Sequence, residues 1–196
     1  MKILVIDNYD SFVYNLVHYL EEITDAEVTV VKNDAFELSF VEQFDKILLS
    51  PGPGIPDEAG KLKEVIREFG PSKSMLGVCL GHQAIAEVFE CKLKNMAVPL
   101  HGIQSEIEIK EKDTLFANLP PSFNIGHYHS WVVDPVISEQ ITITAEDQNG
   151  EIMAIEHKEF EIFGVQFHPE SVLTEYGKEI LSNWLGLKCK VQSAKL

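Results

Sequence analysis

One cysteine lies between two glycines, where a buried strand pattern gives way to a helical one, in the run Gly77-Val78-Cys79-Leu80-Gly81. A nucleophile in such a strand-to-helix turn is held out above the sheet edge, and the glycines permit the sharp turn. The helix N-terminus favours the thiolate, and the N–H of Leu80 would stabilise an oxyanion. The run therefore predicts a nucleophilic Cys79, whereas Cys91 and Cys189 are expected to be small apolar residues.

A nucleophilic cysteine needs a base, and His168 is the best candidate. It follows the apolar run Ile162–Val165, so it also lies at the end of an expected strand. Glu170, two residues on, could accept the other imidazole N–H and fix the tautomer. The three side chains could form a Cys-His-Glu triad, but spacing alone leaves open whether His168 meets Cys79.

Other patterns are compatible with ligand binding but are weak on their own. The glycines of Pro51-Gly52-Pro53-Gly54 would let backbone N–H groups approach a ligand, although the same residues can be a plain turn. His127 and His129 would share one face of a strand, as paired metal ligands do, but no third ligand follows at a suitable spacing. The sequence therefore predicts no metal site, and His82 is expected to pack or to cap a helix.

Alternating strands and helices in the first half of the chain must position these residues. The expected strands are Lys2–Asp7, Val28–Val31, Lys46–Ser50 and Ser74–Val78, and the expected helices are Phe12–Ile23, Lys61–Phe69 and Gly81–Phe89. Such crossovers imply a parallel sheet with helices on both faces. Because ligands bind at the carboxyl ends of these strands, Asp7, Ser50–Gly54 and Cys79 are expected to converge on one edge.

The second half has a different pattern. Apolar and polar residues alternate over 103–110 and 141–144, short apolar runs follow at 152–155 and 162–167, and a helix is expected over 176–187. Half-exposed alternation is typical of antiparallel strands. We therefore expect an α/β fold: a central, mostly parallel sheet flanked by helices, with a smaller antiparallel sheet from the second half. The 196 residues fit one domain, 1–196, with a flexible tail over 188–196.

Composition excludes several classes of protein. Sixteen Lys and Arg stand against 31 Asp and Glu, a net charge of −15, which argues against binding to nucleic acid or to an anionic membrane surface. Three irregularly spaced cysteines do not suggest a disulfide framework and fit a reducing cytoplasm. No apolar run approaches the length of a membrane span.

Three separated motifs resemble the class I, triad-type glutamine amidotransferases. The motifs are Ser50-Pro51-Gly52-Pro53-Gly54-Ile55-Pro56, Gly77-Val78-Cys79-Leu80-Gly81-His82-Gln83 and His168-Pro169-Glu170-Ser171. The resemblance runs from about Lys2 to Leu187 and implies the flavodoxin-like fold of that family. The opening run Asp7-Asn8-Tyr9-Asp10-Ser11-Phe12-Val13-Tyr14-Asn15-Leu16 is similar to that of the glutaminase subunits of anthranilate synthase and aminodeoxychorismate synthase.

The resemblance implies a reaction and a role for each matching residue. Cys79 would attack the side-chain amide of L-glutamine, His168 would pass the proton to the departing ammonia, and Glu170 would orient His168. Water would then release glutamate from the thioester. The implied oxyanion hole is the backbone of Gly52 and Leu80, the implied glutamine-binding residues are Gly52, Pro53, Gly54, Leu80, Gln83, Ser130 and Trp131, and the implied partner-facing residues are Asn8, Asp10 and Ser11.

The resemblance also implies a partner. Ammonia would pass to a separate chorismate-binding synthase subunit that makes anthranilate, for tryptophan biosynthesis, or aminodeoxychorismate. This chain would need no cofactor, and the partner would use Mg²⁺.

One segment departs from the family, which usually has Arg-Tyr-His-Ser-Leu where this chain has His127-Tyr128-His129-Ser130-Trp131. Backbone contacts to glutamine can survive this change, but the packing around Trp131 must differ. A stand-alone γ-glutamyl hydrolase on a similar fold is the alternative function, and it would work without a partner.

Overall fold

The computed structural model describes residues 1–112 and 114–186. Cys189 and the tail over 188–196 lie outside the described residues. The strands are β1 (Lys2–Asp7), β2 (Glu27–Lys32), β3 (Lys46–Leu49), β4 (Ser74–Val78), β5 (Leu93–Ile109), β6 (Ser122–Val133), β7 (Ile141–Asp147), β8 (Ile152–His157) and β9 (Ile162–Val165). The α-helices are α1 (Val13–Ile23), α2 (Leu62–Phe69), α3 (Leu80–Val88) and α4 (Gly177–Gly186), and short 3₁₀ helices cover Leu38–Gln43 and Pro56–Glu58.

Within the described residues, all the strands form one nine-stranded sheet in the order β2-β1-β3-β4-β9-β8-β7-β5-β6. The first five strands in this order pair in parallel, and the remaining pairs are antiparallel. The α/β fold class is confirmed. The expected smaller antiparallel sheet is the far half of the same sheet, because β9 pairs with β4 on one side and with β8 on the other.

Helices cover both faces of the parallel half. On one face α1 and α4 pack with alternate strand residues such as Ile3 and Val5, and on the other α2 and α3 pack with Leu4 and Ile6. Because these strands are buried on both faces, their sequences are apolar without alternation. Each strand and helix expected in the first half is present with bounds shifted by one residue at most.

The antiparallel half contains one strand that the sequence did not predict. In β6 the inward positions are Phe123, Ile125, His127 and His129, so two of its buried positions hold polar residues. This hides the alternation on which a strand assignment depends. The strand β5 is also longer than the predicted 103–110, because its first part is largely exposed and carries no apolar pattern.

No helix among the described residues is long and apolar enough to cross a membrane.

Candidate active site

The turn at Cys79 has the strained geometry that the glycine spacing predicts. Cys79 lies between β4 and α3 with φ 51° and ψ −100°, in the left-handed half of backbone space that non-glycine residues rarely occupy. A Cβ on Gly77 would come within 2.5 Å of the backbone of Gly81, and one on Gly81 would lie 2.3 Å from the carbonyl oxygen of Leu49. Both positions therefore require glycine.

The pairing of β4 with β9 brings His168 to Cys79. Val78 and Val165 are register partners at the ends of these parallel strands, and the N–H of Cys79 donates to the carbonyl of Val165 at 2.8 Å. The chain then turns so that His168 faces the same edge, where Nδ1 of His168 lies 2.7 Å from Oε1 of Glu170. Both side chains are buried, and Cys79 is close enough to act on the His168 ring electrostatically, so the structure places the three residues singled out from the sequence in one cluster.

The electrostatics of His168 favour the imidazolium form. Burial alone would lower the pKa of His168, but its interactions with Cys79 and Glu170 outweigh burial and raise the pKa to about 10. The ring is therefore protonated at neutral pH. A cation beside the sulfur stabilises a thiolate, which is the reactive form of cysteine.

The glycine-proline loop lies against the start of α3. A Cβ on Gly52 would lie 2.6 Å from both the side chain of Leu80 and Cβ of Asn8, so the loop backbone approaches closely only because this residue is glycine. The N–H of Leu80 is in the first turn of α3, where N–H groups have no partner inside the helix. Pro53 and Gly54 are exposed, and Gly54 has a φ of 76°.

The remaining candidate glutamine-binding residues form one wall next to the cysteine. Nε2 of Gln83, on α3, donates to the carbonyl of Trp131 on β6 at 2.9 Å. Ser130 and Trp131 are half-buried, whereas Gln83 is buried.

The three candidate partner-facing residues differ in exposure. Ser11 is exposed and Asp10 is half-buried, where its carboxylate accepts the N–H of Phe12 at 2.7 Å. Asn8 is buried; its Nδ2 donates to the carbonyl of Ser50 at 2.8 Å and its Oδ1 accepts from Asn33 at 3.0 Å. The side chain of Asn8 therefore holds the loop together from inside.

His127 and His129 bind each other. Nδ1 of His127 lies 2.9 Å from Nε2 of His129, and Nε2 of His127 lies 2.6 Å from Oγ of Ser105. Burial lowers the pKa of His127 and, with the nearby His127 and His168, lowers the pKa of His129 to about 3. In the described part of the chain, no group of three or more His, Cys, Asp or Glu side chains is arranged to hold a metal.

Sequence reasoning missed three residues that contact the site. Phe12 and Tyr128 cover the His168 ring, with centroid distances of 5.9 and 5.0 Å. Nε2 of Gln166 donates to Sγ of Cys79 at 3.6 Å. The one available signal was position: Gln166 directly follows β9, as Cys79 directly follows β4.

Comparison with known proteins assigns the family. The family model described as glutamine amidotransferase class-I matches residues 4–187. The chain belongs to the class-I glutamine amidotransferases. The resemblance inferred from the three motifs is thereby confirmed.

Named relatives of this amidotransferase chain fall into several groups. It is 45% identical to aminodeoxychorismate/anthranilate synthase component 2 of Bacillus subtilis, over 93% of this chain and 95% of that protein. It is 44% identical to the bifunctional protein TrpGD of Thermotoga maritima, over 95% of this chain but only 32% of that longer protein. Its structure superposes on a GMP synthase subunit of Thermoplasma acidophilum with a TM-score of 0.86 and 26% identity, covering 95% and 92% of the two chains.

Proposed function

We propose that this chain is the glutaminase subunit of anthranilate synthase, which hydrolyses L-glutamine and delivers ammonia to a separate chorismate-binding subunit. The observation that carries the glutaminase chemistry is Cys79 in its strained turn beside a His168 that is hydrogen-bonded to Glu170. Amination of chorismate to aminodeoxychorismate is the second candidate, because the name of the Bacillus subtilis relative includes both reactions.

The reaction starts from a thiolate and an imidazolium. The sulfur of Cys79 attacks the amide carbon of glutamine and forms the S–C bond, while the carbonyl oxygen becomes an oxyanion held by the N–H groups of Gly52 and Leu80. His168 then gives its proton to the amide nitrogen, the C–N bond breaks, and ammonia leaves. A γ-glutamyl thioester on Cys79 and a neutral His168 remain.

Water completes the cycle. The neutral His168 accepts a proton from water as the oxygen attacks the thioester carbon. The S–C bond breaks, glutamate leaves, and both the thiolate and the imidazolium are restored. Glu170 keeps the His168 ring oriented through both steps, as the third member of a triad does.

The wall beside Cys79 would hold the amino-acid end of glutamine. Ser130 and Trp131 would offer backbone groups, and Pro53 and Gly54 would close the other side. The N–H groups of Gln83 are directed to Trp131 and to Gln166, so its contact with the substrate ammonium would come from Oε1.

The loop after β1 would face the synthase subunit. Its exposed residues include Tyr9 and Ser11, and its Phe12 ring contacts His168, so a partner bound to this loop would act on the base through Phe12. Mg²⁺ is proposed only for the partner. Because Cys79 must stay reduced, a cytoplasmic location fits the chemistry.

The test is glutamate release by the purified chain, measured alone and then with a chorismate-binding synthase subunit, Mg²⁺ and chorismate. We expect strong stimulation by the partner, with anthranilate as the product and no activity in Cys79→Ser. Formation of aminodeoxychorismate instead would favour the second candidate. Rapid hydrolysis that no partner changes would contradict the proposal and indicate a stand-alone γ-glutamyl hydrolase.

A further inference from the structure

Gln166 lies beside the reacting sulfur through the register of the central strands. Val165, the last residue of β9, pairs with Val78, the last residue of β4, so Gln166 and Cys79 are the next residues along two adjacent parallel strands. The N–H of Gln166 donates to the carbonyl of Met153 on β8 at 2.8 Å, which holds its backbone from the other side. The side chain is completely buried and ends 3.6 Å from the sulfur.

A chain of hydrogen bonds decides which end of the Gln166 amide faces Cys79. The carbonyl of Trp131 can only accept, so the end of Gln83 that lies 2.9 Å from it must be the NH₂ group. The same NH₂ group lies 3.2 Å from the Gln166 amide, which must therefore present its oxygen there. The NH₂ group of Gln166 therefore faces the sulfur. This orientation follows from the carbonyl of Trp131, which can only accept a hydrogen bond.

A fixed N–H donor at a sulfur atom favours the thiolate over the thiol. His168 also stabilises the thiolate, but in the proposed reaction it loses its proton when ammonia leaves. Gln166 carries no titrating proton, so its N–H group stays in place when the sulfur becomes the leaving group in thioester hydrolysis. Gln166 therefore donates to the sulfur at every step, whereas His168 can do so only while its ring is protonated.

We propose that Gln166 is a further catalytic residue, a hydrogen-bond donor to Sγ of Cys79 that stabilises the thiolate in both halves of glutamine hydrolysis. This inference rests on the proposed function insofar as Cys79 is the nucleophile. The donor also links the wall formed by Gln83 and Trp131 to the sulfur, so the residues proposed to contact the substrate and the sulfur that attacks it are joined by hydrogen bonds.

The test is the rate at which iodoacetamide alkylates Cys79, followed by mass spectrometry of the intact folded chain between pH 5 and 9. Gln166→Met keeps the side-chain length but removes the donor, and Gln166→Glu keeps the shape but replaces the donor with an acceptor when ionised. Gln104→Met is the matched control, because the amide of Gln104 donates to the carbonyl of Leu173 at 2.8 Å on an exposed strand and is not part of the site.

We expect alkylation of Cys79 at pH 7 to fall about tenfold or more in Gln166→Met, the effect of one hydrogen bond to a charged group, and further in Gln166→Glu. The ratio of Gln166→Glu to the unsubstituted chain should recover as the pH falls, because a protonated Glu can donate again. Gln104→Met should alkylate at the unsubstituted rate. An unchanged rate and pH profile in folded Gln166→Met would overturn the proposal.

Alkylation of Cys91 serves as the internal control for folding, since this cysteine is buried away from the site. If Gln166→Met exposes Cys91, the isosteric Gln166→Glu variant is used instead. A ratio of its Cys79 alkylation rate to that of the unsubstituted chain that does not change with pH would overturn the proposal. Glutamate release by the unsubstituted chain with its partner is measured in parallel. If no glutamate is released but Gln166→Met still slows alkylation as expected, the proposed function is rejected, and the role of Gln166 as a donor to the sulfur stands.

Discussion

His168 and His129 are both buried histidines, yet their pKa values are displaced in opposite directions. His168 follows the end of a parallel strand, where Glu170 and Cys79 raise its pKa to about 10. His129 lies within β6, where its hydrogen-bonded neighbour is His127, and its pKa falls to about 3. Burial by itself favours the neutral form of histidine, so a buried histidine is protonated only where anionic neighbours stabilise the imidazolium.

The largest expected effect is on glutamate release, which should depend on His168 but not on the histidines of β6. We expect His168→Gln to lower partner-stimulated glutamate release by about 10³-fold or more, because a positioned base contributes roughly 10²–10⁴-fold and the thiolate also loses its cation. The matched variant is His127→Gln, equally buried but hydrogen-bonded to His129 and Ser105, which should retain activity within about threefold. Equal losses in the two variants would remove the distinction.

A second effect concerns stability in acid. An unfolded histidine binds a proton near pH 6.5, but burial lowers the pKa of folded His82 to about 4. Between these values the unfolded state binds more protons, so the free energy of unfolding falls as the pH falls, by about 3 kcal/mol for His82 over the whole window. His168 has the opposite sign: its stabilisation is complete below about pH 6.5 and is lost as the pH rises through about 10.

Urea unfolding at several pH values between 4 and 7 measures this effect. His129→Gln should weaken the dependence of the free energy of unfolding on pH, because it removes one of the histidines that stay neutral in the folded state. Gln43→Ala, which removes an exposed side chain with no titrating group, should leave this pH dependence unchanged. If His129→Gln leaves the pH dependence of the free energy of unfolding unchanged, the destabilisation in acid arises from other groups.

The smallest effect concerns Ser105, which is hydrogen-bonded to the buried pair of His127 and His129. Ser105→Ala removes the hydrogen bond to His127 and should lower the free energy of unfolding by about 1 kcal/mol, with partner-stimulated glutamate release unchanged. The exposed Ser39→Ala variant is the control for the substitution itself and should cost less. A large loss of activity in Ser105→Ala would mean that the β6 histidines act on the reaction.

The parts of the site that local sequence encodes were predictable. Gly77 and Gly81 surround Cys79 at positions where a Cβ would clash, so the strained turn could be inferred from five residues. The contact between Gln166 and Cys79 needs the register of two strands, which no local pattern specifies. It became visible only once β4 and β9 were paired.

The fold was predictable to a similar extent. The parallel half has continuous apolar strands and was predicted within one residue. The strand β6 was missed because His127 and His129 fill inward positions, and the first part of β5 because Pro99 and Gly102 interrupt an exposed stretch. In each case tertiary packing, rather than the local pattern, determines the structure.

The pairing of β4 with β9 also has a consequence for the order in which the protein is made. Cys79 and the residue that donates to its sulfur are 87 positions apart, so this contact can form only after the long segment between them has been synthesised. A nascent chain that stops before β9 already contains the cysteine and its turn but has neither His168 nor Gln166. Translation thus supplies the reactive thiol before the groups that activate it.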